Sequence, residues 1–232
     1  MKIDILTLFP TMFDGFLSES ILARAMKNDL VEVNVIDFRE FSHSKHKKVD
    51  DYPFGGGAGM VLQVQPVVDA LRSIDGYEQA LKILVSPQGE QFKQQTAYQF
   101  STVSHVIILC GHYEGYDERI RSYFDQEISI GDFVLTGGEL AAMVLVDAIT
   151  RVIPNVIGKD ESHQNDSFNN DLLEHPHYTR PREYEGKFVP DVLVNGNHKL
   201  IEEWRLKESI NRTKQRRPDL YKKYIKGGKY HE

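Results

Sequence analysis

Four β-branched runs constrain what this chain can become: "KIDILTL", "VEVNVIDF", "LKILVS" and "HVIILC", each bounded by Pro, Gly, Ser or charged residues. Short runs of this kind read as strands. Helix-length segments lie between them, "FDGFLSESILARAMKNDL", "PVVDALRSI" and "FKQQTAYQF"; the first opens near Asp14 and carries apolar residues at Phe16, Leu17, Ile21 and Leu22 to Ala25. Alternating strand and helix predicts an α/β fold, a mostly parallel sheet with helices on both faces. Ligands of such sheets sit at the carboxyl ends of the strands. Here those ends read "SPQGE" (86–90), "CGHYEGYDER" (110–119) and "IGDFVLTGGE" (130–139), three turn-forming loops that converge on one edge.

With 232 residues and 41% hydrophobic content, the chain is long enough for a main domain with a smaller one attached. No apolar run has the length of a membrane span, and "MKIDILTLFP" lacks the features of a signal peptide, so a cytoplasmic protein is expected. The single cysteine, Cys110, ends an apolar run and reads as a small buried hydrophobe before it reads as a nucleophile. Charge is polarised: residues 199–230 hold eleven Lys and Arg against four Asp and Glu, which leaves −13 on the remainder of a chain whose net is −6. A basic end of this kind is either a solvated helix with i,i+4 ion pairs or an arm that contacts phosphates.

The segment "ELAAMVLVDAITRV" reads as a buried helix. Past it the composition turns polar and rich in Asn, Asp, His and Pro, so residues 159–191 read as a flexible linker. Leu200, Ile201, Trp204 and Ile210 then recur at helical spacing, and a small helical domain is expected over 192–232, after a main domain over 1–158.

A glycine-rich turn between strand and helix usually suggests phosphate. The stretch 127–148 argues otherwise: no Lys or Arg lies in it, no "GK[ST]" follows, and Glu127, Asp132 and Glu139 surround the turn. Its "GDFVLTGGE" also fails the dinucleotide pattern G-x-G-x-x-G, which disfavours a nicotinamide-dependent oxidoreductase. What remains is a neutral or cationic ligand met closely by backbone at Gly131, Gly137 and Gly138, such as a purine bearing a sulfonium, or glycines that serve only tight turns. A second cluster, "KVDDYPFGGGAGMVL" (48–62), reads as an exposed, mobile loop, a lid or a connector. His43 with His46 and His175 with His177 carry no Cys pair and no H-E-x-x-H, so they read as loop histidines and not as a metal site.

Taken in order, "FPTMF", "DDYPFGGGAGMVL", "SPQG", "CGHYEGYDERI", "EISIGDFVLTGGELAAMVLVDA", "NDSF", "YTRPREYEG" and "RRPDL" resemble the bacterial tRNA (guanine-N1)-methyltransferases that modify the guanine 3′ to the anticodon, position 37. The resemblance implies the SPOUT class, with a deep trefoil knot and a homodimer whose subunits complete each other's active site. It implies S-adenosylmethionine as methyl donor, held by Ser86, Pro87 and Gln88, by Gly111, Tyr113, Glu114 and Gly115, and by Ile130, Gly131, Asp132, Phe133, Val134, Leu135, Gly137 and Gly138. Backbone of "IGDFVL" is implied to hold the adenine, with Glu114 near the methionine portion. No role is assigned to His112.

The same resemblance implies Asp166 and Arg151 as catalytic residues. Guanine N1 carries a proton that must leave as the nitrogen attacks, and a carboxylate such as Asp166 accepts it as general base. The charge left behind spreads onto O6, where a guanidinium such as Arg151 stabilises it without losing its own proton. By spacing alone Asp166 is also a helix N-cap, and Arg151 a favourable charge at a helix C-terminus. The scheme needs no metal, and magnesium is compatible with it. Arg205, Lys207, Arg212, Lys214, Arg216 and Arg217 are the expected phosphate contacts with tRNA. The rival from another class is a non-catalytic RNA-binding protein that keeps the SPOUT fold.

Overall fold

The β-branched runs lie side by side in one parallel sheet. The computed structural model describes residues 1–157 and 166–227, and the chain divides into two compact units, Met1–Gly158 and Lys159–Glu232. In the first unit, β1 (Lys2–Thr7), β2 (Glu32–Asp37), β5 (Leu81–Gln91), β6 (His105–Cys110) and β7 (Gln126–Ser129) stand in the order β2-β1-β6-β5-β7. Every neighbouring pair is parallel. Strands β3 (Asp50–Asp51) and β4 (Val61–Leu62) form a separate antiparallel ladder inside the Gly-rich segment.

Both sheet faces are covered, which is why the strands read as continuous apolar runs and not as alternating ones. One face carries Ile3, Ile5, Ile83, Val85, Val106 and Ile108, packed with Leu22 of α2 (Ser20–Lys27), Phe100 of α4 (Gln94–Ser101) and Leu145, Val146 and Ile149 of α5 (Glu139–Arg151). The other carries Leu6, Leu84, Ile107 and Leu109, packed with Val67, Ala70 and Leu71 of α3 (Val64–Ser73) and with Phe38 and Ile120. The order places β2 on one side of β1 and inserts β6 between β1 and β5, so the carboxyl ends of β6, β5 and β7 stand side by side at one edge of the sheet, where ligands of parallel sheets bind.

Three local expectations change. The first expected helix is broken into α1 (Asp14–Ser18) and α2, because Glu19 is extended and Ser20 takes φ 60°. The "SPQGEQ" segment is not only a loop: β5 runs on through it to Gln91, re-pairing with Ile128 and Ser129 after a register shift. A Cβ on Gly89 would lie 2.4 Å from the Ile128 nitrogen and 2.5 Å from the Glu127 carbonyl carbon, so only glycine permits that approach. Nor is α5 buried all round. Leu140, Val144, Asp147 and Arg151 form one exposed stripe along it at helical spacing.

In the second unit, the described residues begin with turns at 166–172, followed by a two-stranded ladder of β8 (Glu183–Tyr184) and β9 (Lys187–Phe188). Its two turn residues, Glu185 and Gly186, have φ 52° and 77°. Helix α6 (His198–Arg216) is N-capped by the Asn197 side chain, which accepts from the Leu200 N–H, and α7 (Pro218–Lys226) opens on a proline. Leu172, Ile210 and Tyr224 make the core here, with Tyr221 against them. Of the linker expected over 159–191, residues 159–165 lie outside the described residues.

Candidate active site

A cavity of about 290 Å³ opens at the carboxyl edge of the sheet. Its walls are the ends of β5, β6 and β7 and the N-terminus of α5, and its lining includes each expected donor residue except Asp132, which is exposed and outside it. His112, to which the resemblance assigns no role, lines it too, as do Tyr116, Ser129 and Thr136. No Lys or Arg is among the lining residues.

Backbone sets the shape of this cavity. A Cβ on Gly138 would stand 2.7 Å from the Gly111 nitrogen and 2.8 Å from the Cys110 Cα, so α5 begins in direct backbone contact with the end of β6, sealed by Gly138 N–H donating to Gly111 O at 2.8 Å. Gly131, at φ 149°, makes the turn after β7, with its N–H and carbonyl both bonded to the Ser129 hydroxyl. Tyr113 sits at φ 61°, an uncommon conformation for a bulky residue, in the tight turn that Gly115 N–H closes onto His112 O. The Gly-rich segment is stitched to this turn: Glu114 N–H donates to Met60 O, Leu62 N–H to Gly115 O and Asp117 N–H to Leu62 O. Gly59, at φ 83°, packs where a Cβ would strike the Glu114 side chain. Farther out, the same segment exposes Tyr52 and Phe54 completely enough to leave their rings in solvent.

Charge around the cavity is largely spoken for. Glu127 accepts from the Tyr116 hydroxyl at 2.6 Å and faces Arg121 Nε at 3.1 Å. Burial, and then the bond to Glu127, push the Tyr116 phenol above its ordinary range, so it stays a donor. The hydrogen bond from Arg119 holds the Asp117 carboxyl below the usual carboxylate range and closes the "YDER" end of the loop. Behind the wall, Glu139 is buried and bonded to both Thr7 and His112. Cys110 is wholly buried, and burial followed by the charge of Glu139 raises its thiol far above the ordinary range, which suits a small hydrophobe and not a nucleophile. What the cavity offers is backbone donors and acceptors, aromatic faces and one rim carboxylate, Glu114.

The two expected catalytic residues fall in different units. Arg151 is the last residue of α5, and Asp166 begins the described part of the second unit. The N-cap alternative for Asp166 does not hold, because φ of 81° at Phe168 and 59° at Asp171 make turns where a helix would have started. Asp166 lines a surface hollow with His175, Arg205 and Leu206. Burial, and then His177, lower the His175 pKa below the ordinary value. Several expected phosphate contacts already have partners in their own unit. Arg205 pairs with Glu202 at 2.7 Å, Arg217 forks onto Asp219 at 2.9 and 2.7 Å, Arg212 reaches Glu174 O at 3.4 Å and Lys214 lies over the Tyr221 ring. Lys207 and Arg216 are exposed and have no ion-pair partner among the described residues. No group of three or more His, Cys, Asp or Glu that could hold a metal ion occurs among the described residues, and no helix there is long and apolar enough to cross a membrane.

Known proteins resemble this chain along nearly its whole length. Residues 1–223 match the family described as tRNA (Guanine-1)-methyltransferase TrmD. The tRNA (guanine-N(1)-)-methyltransferase of Bacillus subtilis (strain 168) is 58% identical over 225 residues, 96% of this chain and 93% of the relative. The protein of that name from Staphylococcus aureus (strain MRSA252) is 55% identical over 225 residues, 97% and 92% of the two chains. A match this long and this close leaves no room for a different fold or a borrowed fragment, and the chain belongs to the tRNA (guanine-1)-methyltransferase family.

Proposed function

We propose that this protein transfers a methyl group from S-adenosylmethionine to N1 of guanosine 37 in tRNA, acting in the cytoplasm as a homodimer. The observation that carries the reading is the cavity wall, built by three loops, two of which bring glycine backbone to it, free of Lys and Arg, and edged by the Glu114 carboxylate. Such a wall suits a flat purine and a cationic sulfonium and repels nothing about either. The names of the relatives point to the same reaction.

When bound, the donor supplies a methyl group already activated by a positive sulfur. The protein's own residues do the rest. Backbone groups from residues 130–135 hold the adenine, and Glu114 faces the methionine portion. Asp166 takes the N1 proton as the nitrogen attacks, and Arg151 stabilises the negative charge that moves to O6. Alignment of the reacting atoms, more than further chemistry, is the remaining task. Arg151 stands on the exposed stripe of α5 with Leu140 and Val144, and Phe133 and Val134 are exposed nearby in sequence, which supports an isologous dimer interface beside the site. The close backbone passages at Gly89 and Gly138 are in keeping with a knotted chain. In this reading residues 159–191 link the donor domain to residues 192–232, and the basic helices grip tRNA phosphates, Lys207 and Arg216 foremost.

Incubation with methyl-labelled donor and unmodified tRNA, followed by nucleoside mass analysis, tests the proposal. It expects 1-methylguanosine at position 37, and its absence would sink the reading. Asp166→Ala should lower turnover by roughly 10²–10⁴-fold with donor affinity unchanged. Retained turnover would place the base elsewhere.

A further inference from the structure

We infer that Glu139 is a positioning residue that fixes the wall of the donor cavity by gripping Thr7 and His112 at once. The inference rests on the reading of that cavity as the S-adenosylmethionine site.

A glutamate in the first turn of a helix ordinarily stays in solvent, where the helix dipole already favours it. Glu139 is instead 1% exposed, and a buried carboxylate is costly unless partners satisfy it. Its partners come from far along the chain. Thr7, wholly buried at the end of β1, donates its hydroxyl to Oε1 at 2.7 Å, across 132 residues. His112, in the loop after β6, stands with Nε2 at 3.1 Å from Oε2. A carboxylate only accepts, so Nε2 carries the hydrogen of this contact. The circuit then closes on itself, because the Phe9 N–H donates to the Thr7 hydroxyl at 3.0 Å and the Phe9 ring rests 4.8 Å from the His112 ring.

Gly137 gives an independent sign of what this grip demands. Its φ is not in the left-handed region, so the backbone would accept a side chain. A Cβ there would nevertheless lie 2.2 Å from His112 Nε2 and 2.5 Å from Glu139 Oε2. The first glycine of "GGE" is required by the His112–Glu139 contact, not by its turn. Since His112, Gly137 and Gly138 all line the cavity, loosening Glu139 displaces two of its walls.

The test uses the full chain, with donor affinity by calorimetry and steady-state kcat and KM for the donor. Thr7→Val removes the hydroxyl at constant shape, and Gly137→Ala wedges the pair apart. Each should weaken donor Kd and raise donor KM about tenfold, with kcat within about threefold, and Thr7→Ser should restore wild-type values. A folded Thr7→Val with wild-type affinity overturns the inference. Should Thr7→Val fail to fold, His112→Asn decides in the same way, because it removes the grip at the cavity rim. A wild-type chain with no donor affinity overturns the reading of the cavity and this inference with it. Normal wild-type binding beside an unaffected variant overturns this inference alone.

Discussion

The two units hold themselves together by different means. The first buries both faces of a five-stranded sheet, and its cavity is shaped by backbone pressed against backbone at Gly89 and Gly138. The second rests on Leu172, Ile210 and Tyr224 and is otherwise tied by side-chain pairs such as Lys223 with Asp171 and Arg217 with Asp219. Backbone contacts leave no slack, whereas exposed ion pairs contribute little to stability and exchange readily for other partners. A preformed cavity suits a small ligand that must be held in one geometry. A lightly packed basic surface suits a long polyanion, whose phosphates can replace the carboxylates that now occupy Arg205 and Arg217.

That contrast can be broken, and the hardest blow falls on the first unit. Gly138→Ala adds one methyl group where the neighbours are Val85 Cγ2, the Gly111 nitrogen and the Cys110 Cα, and the last two are backbone atoms that cannot swing away. It should cost about 3 kcal/mol in chemical denaturation and remove most donor binding, since overpacking of a tight site costs about 1–3 kcal/mol before any distortion of the wall. A change below about 1 kcal/mol would mean that the wall yields and that backbone packing is not what shapes it. In the second unit, Leu172→Ala deletes one of three core side chains and should cost about 2 kcal/mol. The chain's only tryptophan, Trp204, lies in α6, so its fluorescence reads this unit directly. An unchanged Trp204 transition would show that the ion pairs, not the apolar contacts, carry the unit.

The smallest expected effect is a pH dependence. Burial and His177 place the His175 pKa below its ordinary 6.5, so the unfolded chain takes up the proton first. The second unit is therefore most stable above pH ~6.5 and loses stability as pH falls below it. The urea midpoint read by Trp204 should be lower at pH 5.5 than at pH 7.5, and less so in His175→Asn. A midpoint that rises on acidification contradicts the burial of His175.

Much of the first unit was legible because its strands are buried on both faces and so declare themselves as unbroken apolar runs. The edge where ligands collect followed from the parallel topology alone. The parts that escaped depend on contacts between distant residues. Periodicity continues through "SESIL", and nothing local announces that Ser20 turns to positive φ. The exposed stripe of α5 is as apolar as its buried side at Leu140 and Val144, so hydrophobicity could not tell them apart. The β8–β9 turn places Glu, in place of the customary Asn or Asp, before Gly at left-handed φ, and its signal is correspondingly weak. His112 and Glu139 stand 27 residues apart, and only folding makes them neighbours. The roles of Asp166 and Arg151 came from resemblance, since spacing alone offered a cap and a helix-end charge.

The bond between Thr7 and Glu139 also bears on the order in which the protein is made. Four of the five sheet strands are complete at Cys110, yet the cavity has no closing wall until α5 has been synthesised. A growing chain can therefore assemble most of its hydrophobic sheet while still unable to hold a ligand. Affinity for the small molecule would switch on late, with the last strand and the helix behind it, and a ligand that binds only the finished state pulls the final step toward completion. Ligand retention by chains released at successive lengths would time that closure.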